Sequence, residues 1–395
     1  MSDPRLPLEG VVVVTVEQAV AAPFATRQLA DLGARVIKVE RRGAGDFARG
    51  YDEVVDGLSS AFLWLNRGKE SVTLDLKRRA GRSVLGELLD ACDVFVHNLS
   101  PRAARRAGID TATLLADHDR MIPCAISGYG KSGPLSDAKA YDLLVQGETG
   151  IVSLTGHAEQ MAKVGISIAD ISAGMYAYSA ILAALFHRQR TGEVLPVDVS
   201  LFDSLTEWLA YPMYYTMYGG VAPRRMGTHH ATIAPYGAFE TVDGRLLVAV
   251  QNDREWRRFC EVVLGEPSLA DDPLFMSHHR RVANRNTLDQ RVAERFASMD
   301  LESALDLLSR ADIACSRLND ISALADHDQL VERSRWVDTD SPVGSVRTVL
   351  PPWLPAHVEP DLGAVPDVGA HTDDVLRWLG HGAAKIDRLR RDQAI

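Results

Sequence analysis

Asp170 has a setting that suits a nucleophile. It lies in Val164-Gly165-Ile166-Ser167-Ile168-Ala169-Asp170-Ile171-Ser172-Ala173-Gly174 and opens a long stretch of helical, mostly apolar pattern. A carboxylate at a helix N-terminus is favoured as the anion, by about 0.3–1 kcal/mol when exposed and more when partly buried. A carboxylate nucleophile must be ionised. Ser172, Ala173 and Gly174 are small enough to let a bulky substrate approach. The same position suits an N-capping aspartate, and position alone favours that plainer role.

Other chemistries find less support. The first βα turn, Glu17-Gln18-Ala19-Val20-Ala21-Ala22-Pro23, has none of the glycines a dinucleotide fold needs for close pyrophosphate approach. Glu40 stands where a ribose-binding acid would lie, a weak signal without those glycines. P-loop, HExxH, GxSxG and EF-hand patterns are missing. Cys92, Cys124, Cys260 and Cys315 are far apart, which argues against a CxxC metal or redox motif. They read as reduced thiols of a cytoplasmic protein, with Cys92 and Cys124 in core-like stretches.

The elements that must position Asp170 read as α/β. Val11–Thr15 and Val36–Glu40 are strands around a helix opened by Pro23 and stopped at Gly33, a βαβ unit with a parallel pair. Strands at Ser71–Leu76, Asp93–His97 and Met121–Ser127 follow, with a helix over Gly81–Cys92. This is a doubly wound parallel sheet, on which ligands bind beyond the strands' carboxyl ends. Val194–Ser200 is a further strand leading to a helix through Trp208, and Tyr211–Tyr218 is unusually aromatic. A Pro-, Gly-, Arg- and His-rich linker at 223–232 leads to a hairpin over Tyr236–Val250, turning at Asp243-Gly244. Arg254–Leu264 and Leu301–Ser309 read as helices of a smaller α+β domain, and Thr372–Trp378 as the last helix.

The 395 residues suffice for two domains, and the 46% apolar content fills a large core. A formal charge of -10 argues against nucleic acid or an anionic membrane as partner. Met1–Gly10 lacks an apolar signal core. The uncharged stretch Ile171–Phe186 is shorter than the about 20 residues a bilayer span needs, and reads as a buried helix.

Several segments together resemble the family III CoA-transferases, which include carnitine CoA-transferase, formyl-CoA transferase and α-methylacyl-CoA racemase. They are "AAPFATRQLADLGARVIKVERRGAGD", "LNRGKESVTLDLK", "DVFVHNLSPRAARRAGID", "ISGYGKSGP", "KAYD", "KVGISIADISAGMYA", "LFHRQRTGEVLPVDVSLFDS", "YGAFETVDGRLLVAVQNDREW" and "VGAHTDDVLRWLG". The resemblance covers nearly the whole chain. It implies that Asp170 is the catalytic carboxylate and passes through an aspartyl-CoA thioester. It implies coenzyme A contacts at Val20, Ala21, Arg41, Leu74, Lys77, Asn98, Leu99, Arg106, Lys139, Ala140 and Tyr141. Coenzyme A is then part of the substrate, with no permanently bound cofactor and no metal.

The family's racemases carry a histidine where this chain has Tyr141, a poor base near neutrality with a reference pKa of about 10; transfer is favoured over racemisation. His157, in the following loop, is a substitute in principle and reads as exposed. "RRMGTHHATIAPYGAFETVDG" replaces the glycine run of formyl-CoA transferases and looks like the branch acting on C4–C5 dicarboxylates. Arg224, Arg225, His229 and His230 are candidates for a distal carboxylate, with a mobile basic linker as the alternative. Oxalate or formate exchange stays open, as does an aromatic acid or carnitine as acceptor. The expected division is 1–224 for the large CoA-binding domain, 225–330 for the small α+β domain and 331–395 returning to the large one. The resemblance implies an interlocked homodimer.

Overall fold

The computed structural model describes residues 6–354 and 362–395; residues 1–5 of the polar N-terminus and 355–361 of the C-terminal segment lie outside the described residues. The chain forms two compact units. One holds residues up to 150 with 164–210 and 332–395, the other 151–163 with 211–331.

The first unit is built on a six-stranded parallel sheet. Its strands are β1 (Val12–Val16), β2 (Arg35–Glu40), β3 (Lys69–Thr73), β4 (Val94–His97), β5 (Ile122–Ser127) and β6 (Val197–Ser200). They lie in the order β3-β2-β1-β4-β5-β6, so the chain starts mid-sheet, winds to one edge and returns to build the other. The β-branched run of β1 is buried because it is an inner strand of a parallel sheet whose faces are covered by helices.

Val14, Ile37 and Phe95 of the sheet pack with Val84 and Leu88 of α2 (Arg79–Asp90) and with Val375 and Ile386 near the C-terminus. α1 (Ala21–Asp31) and α4 (Ile168–Thr191) contribute nothing to that cluster and pack on each other. A shorter helix, α3 (Asp142–Glu148), also meets α4. By length and composition alone α4 could cross a membrane. Here it is the crossover between β5 and β6. Ala169, Ala173, Ala177, Ile181 and Ala184 are buried, while Met175 and Phe186 are exposed, so the expectation of a buried helix holds for one face only.

The edge strand β3 is closed by the C-terminal segment. His371 Nδ1 accepts from the Ser71 N–H and Thr372 Oγ1 from the Thr73 N–H, both at 3.1 Å. The chain does not end its helices at Thr372–Trp378, because Ala383–Arg391 forms another. The stretch around Asp338 forms a hairpin, Trp336–Ser341 with Gly344–Val349. The third strand ends at Thr73 rather than Leu76; Leu74 continues the apolar alternation into the core beyond the ladder.

The second unit carries β7 (Tyr236–Glu240), β8 (Arg245–Ala249) and β9 (Ala314–Arg317), antiparallel in the order β9-β8-β7. Asp243-Gly244 lies in the β7–β8 connection, as expected. Its core gathers Phe239, Leu246, Val248, Trp256, Phe259 and Phe296. The helix read over Arg254–Leu264 is α-helical only to Arg258 and then widens to a π-helix.

Two helical glycines differ in their surroundings, which gives a test of the packing. A Cβ on Gly174 of α4 would lie 2.7 Å from the Ala21 carbonyl oxygen, whereas one on Gly86 of α2 meets nothing within 4 Å. Gly86→Ala should stabilise the protein by about 0.5–1 kcal/mol, and Gly174→Ala should destabilise it by about 1–3 kcal/mol. Urea midpoints of the two variants check this; equal shifts would contradict the α1–α4 packing.

Candidate active site

Asp170 lies in the first turn of α4, one turn before Gly174 on the same helix face. It is not the cap of its helix. Asp142 of α3 takes that part: its Oδ1 accepts from the Ala169 N–H at 2.8 Å and the Asp170 N–H at 3.2 Å. Gln146, fully buried one turn further along α3, donates to Asp142 Oδ2 at 2.7 Å and accepts from the Val164 N–H at 3.0 Å. With the helix amides so occupied, the Asp170 carboxyl has no hydrogen-bond partner among the described residues.

This changes the electrostatics inferred from the sequence. Burial, and then the neighbouring Asp142 carboxylate, push the Asp170 carboxyl up to about 7. Desolvation and a like charge outweigh the field of the helix N-terminus. The group is therefore a half-buried carboxyl poised near neutrality.

The β1–α1 turn, whose Ala21 carbonyl meets α4 at Gly174, rests on a buried ionic cluster. Lys69 Nζ donates to Glu17 Oε1 at 2.7 Å and Lys38 Nζ to Asp46 Oδ2 at 2.7 Å, all four side chains being buried. Thr15 and Thr26 hydroxyls donate to Glu17 Oε2. Burial lowers the Lys69 ammonium to about 7 against the pull of Glu17. Glu40, the weak ribose candidate, belongs to this structural layer. Arg49 engages both of its oxygens and Ser71 donates to it at 2.6 Å. Burial raises its carboxyl, but Arg49, Lys38 and Ser71 prevail and hold it at about 2.

The sequence candidates spread around this turn. Val20 and Ala21 are buried in it, and the Ala21 carbonyl meets Gly174. Asn98 clasps Gln18 of the turn through both atoms of its amide. Leu99 is partly buried against the main core, and Leu74 is buried within it. Arg41, Lys77, Arg106 and Lys139 are exposed and form no ion pair among the described residues; Arg41 donates to the Gly45 carbonyl at 3.2 Å. Ala140 packs where a Cβ on Gly128 would fall, and the exposed Tyr141 immediately precedes Asp142.

In the second unit, Arg225 donates to the carbonyls of His157, Ser153 and Ala158, so its guanidinium pins that loop. His157 is exposed, as expected. His229 Nε2 lies 3.7 Å from Asp289 Oδ2. His230 stacks on Tyr236 with ring centroids 5.2 Å apart, and its Nδ1 accepts from the Thr232 N–H.

Sequence reasoning missed Asp142, Gln146, Asp46 and Tyr51. The first two were legible as an acid and an amide at i and i+4 of a helix that begins in the "KAYD" segment. Tyr51 is pushed up to about 12 by burial and by the Asp46 and Asp170 charges. Among the described residues no group of three His, Cys, Asp or Glu side chains could hold a metal ion. Cys92 and Cys124 are buried, and burial raises both thiols, Cys92 to about 12, which removes them as nucleophiles.

Comparison with known proteins bears on this arrangement. Residues 8–372 match the model of CoA-transferase family III. The chain is 33% identical to an acetyl-CoA:oxalate CoA-transferase of Acetobacter aceti, over 84% of this chain and 85% of that one. It is 32% identical to a succinyl-CoA:glutarate CoA-transferase of Mus musculus, over 98% and 90%. The crystal structure of a CAIB/BAIF family protein from Brucella suis superposes with a TM-score of 0.83 at 30% identity, over 95% of this chain and 100% of that chain. The half-buried aspartate thus stands in a chain that belongs to CoA-transferase family III and is a CoA-transferase.

Proposed function

We propose that the enzyme moves coenzyme A from an acyl-CoA donor such as succinyl-CoA to a small carboxylic acid, a C4–C5 dicarboxylate, through a thioester on Asp170. The observation that carries this is the Asp170 carboxyl itself, left without a hydrogen-bond partner among the described residues while Asp142 serves the helix amides. An unpartnered carboxylate in a desolvated setting is a better nucleophile than one held by donors.

In the proposed sequence a carboxylate oxygen of Asp170 attacks the donor's thioester carbonyl and expels the CoA thiolate, leaving a mixed anhydride. The thiolate attacks the aspartyl carbonyl, releases the donor's acid and forms the aspartyl-CoA thioester. The acceptor carboxylate then attacks that thioester. The thiolate it expels takes the acceptor's acyl group and frees Asp170. One thioester is exchanged for another, so the overall step needs no input of free energy from ATP.

Exposed cations past the strand ends, Arg41, Lys77, Arg106 and Lys139, are the proposed partners of the nucleotide phosphates. Val20, Ala21, Leu74, Asn98, Leu99, Ala140 and Tyr141 complete the proposed CoA contacts. His229 and His230, in the segment that follows Arg225, are proposed to read the acceptor's second carboxylate. A dicarboxylate is supported by the mouse relative, named for succinyl-CoA and glutarate; mesaconate, itaconate, citramalate and malate belong to the same class. The Acetobacter relative favours oxalate as the second reading. Tyr141 in place of a base disfavours racemisation. The exposed Met175, Phe186, Tyr214 and Tyr218 support a homodimer, and the reduced-thiol composition a cytoplasmic setting.

Asp170→Ala should lower transfer between succinyl-CoA and a panel of acids by about 10³-fold or more, with CoA affinity within about threefold of the parent. Retained turnover would refute the mechanism, and α-proton exchange with deuterium in the absence of new acyl-CoA products would reassign the enzyme to racemisation.

A pH test follows from the Asp170 carboxyl's value of about 7, against about 3.9 in an unfolded chain. Between about pH 4 and 7 the folded chain keeps a proton the unfolded chain has lost. The stability this carboxyl contributes is complete below about pH 4 and is lost as pH rises through about 7. Asp170→Asn should therefore be more stable than the parent at about pH 8, with the difference vanishing toward pH 4. Parent kcat/KM should rise through about pH 7 as the nucleophile ionises. Urea midpoints and rate profiles measure both; a stability difference unchanged with pH would contradict the site's electrostatics.

A further inference from the structure

The β1–α1 turn holds a backbone conformation that its own residues do not favour. Ala19 has φ +61°, in the left-handed region where a Cβ is crowded and glycine is usual. Two side chains from elsewhere in the chain secure it. Asp46 Oδ1 accepts from the Ala19 N–H at 3.1 Å. Asn98 Oδ1 accepts from the Gln18 N–H at 3.0 Å, and Asn98 Nδ2 donates to the Gln18 carbonyl at 2.7 Å. Asp46 is itself immobilised by Lys38 Nζ at 2.7 Å and by the Ala48 N–H at 2.9 Å. Backbone in a disfavoured region persists where its surroundings over-determine it, and such places cluster at functional sites.

The end of the turn meets the helix that carries the reacting carboxyl. Gly174 lies one turn after Asp170 on the same helix face. A Cβ there would sit 2.7 Å from the Ala21 carbonyl oxygen and 2.9 Å from the Phe24 ring. The α4 face that carries Asp170 therefore abuts the end of this turn.

We propose that Asn98 and Asp46 are positioning residues that hold the Gln18–Ala19 turn as a fixed wall beside Asp170, so that the thioester carbonyl presents one orientation to the carboxylate. This rests on the reading of Asp170 as nucleophile. Attack at a carbonyl demands near-attack geometry, and a wall that relaxes loses rate more than binding. Asn98 then acts through the turn, whatever contact it also makes with coenzyme A.

Asn98 is the residue to change, because Asp46→Asn would leave the buried Lys38 short of counter-charge. Asn98→Ala, Ala19→Gly and the double variant of the full chain would be compared for succinyl-CoA-dependent transfer. Asn98→Ala should lower kcat by about tenfold or more with the donor KM within about threefold. Ala19→Gly, which takes the left-handed φ without steric cost, should recover about fivefold in the Asn98→Ala background. Hydrogen exchange of the Ala19 amide gives a readout independent of turnover. Its Asp46 acceptor is untouched, yet exchange should quicken in Asn98→Ala and slow again in the double variant. A raised donor KM with kcat intact, no recovery with glycine and unchanged Ala19 exchange would overturn the brace. Failure of the functional reading would show separately, as transfer retained by Asp170→Ala.

Discussion

Everything at the site follows from how the first amides of α4 are satisfied. Helix N-terminal N–H groups need acceptors, and the nearest carboxylate usually supplies one. Here Asp142, steadied by the buried Gln146, accepts from Ala169 and Asp170. Asp170 is thereby released from a structural duty that its position in the helix would otherwise impose. Its carboxyl, desolvated by the surrounding packing and facing the like charge of Asp142, titrates near neutrality.

The second constraint is the buried ion-pair layer beneath the β1–α1 turn. Charges taken out of water are tolerated only when paired and fully hydrogen-bonded, and Glu17, Lys38, Lys69 and Asp46 meet that condition through their mutual contacts and through Thr15, Thr26, Asn66 and Pro23. A dinucleotide fold uses glycines to shape the equivalent turn. This chain shapes it with charge: an alanine at positive φ stands where glycine would be expected, and Asp46 and Asn98 supply the enthalpy that glycine's freedom would have made unnecessary. The two devices lead to different chemistry, a cradle for pyrophosphate in one case and a wall beside a carboxylate in the other.

Periodicity in the sequence was enough for the parallel sheet. Buried β-branched runs such as Val12–Val16 and helices ended by glycine reveal strands and crossovers through local physics. The hairpin at Trp336–Val349 was not legible, since its residues alternate weakly and its Pro, Gly and Val content reads equally as irregular chain. Asp170 was visible as a carboxylate among small residues, but its protonation behaviour was not: the field of its own helix is local, whereas Asp142 and the desolvation arise from tertiary packing 28 residues apart in sequence. Asn98 could be picked out through family likeness; its pair of hydrogen bonds to Gln18 spans 80 residues and has no sequence signal. Arg225 likewise reads as a free cation in the sequence, and only the fold discloses the carbonyls that occupy it.

The central claim is that coenzyme A becomes covalently attached to Asp170 during turnover. Incubation with succinyl-CoA alone, quenching with hydroxylamine and mass spectrometry of the peptides tests it directly. The account predicts a hydroxamate at Asp170, formed only when donor is present; a modification on any other acidic residue, or none during active turnover, would contradict it.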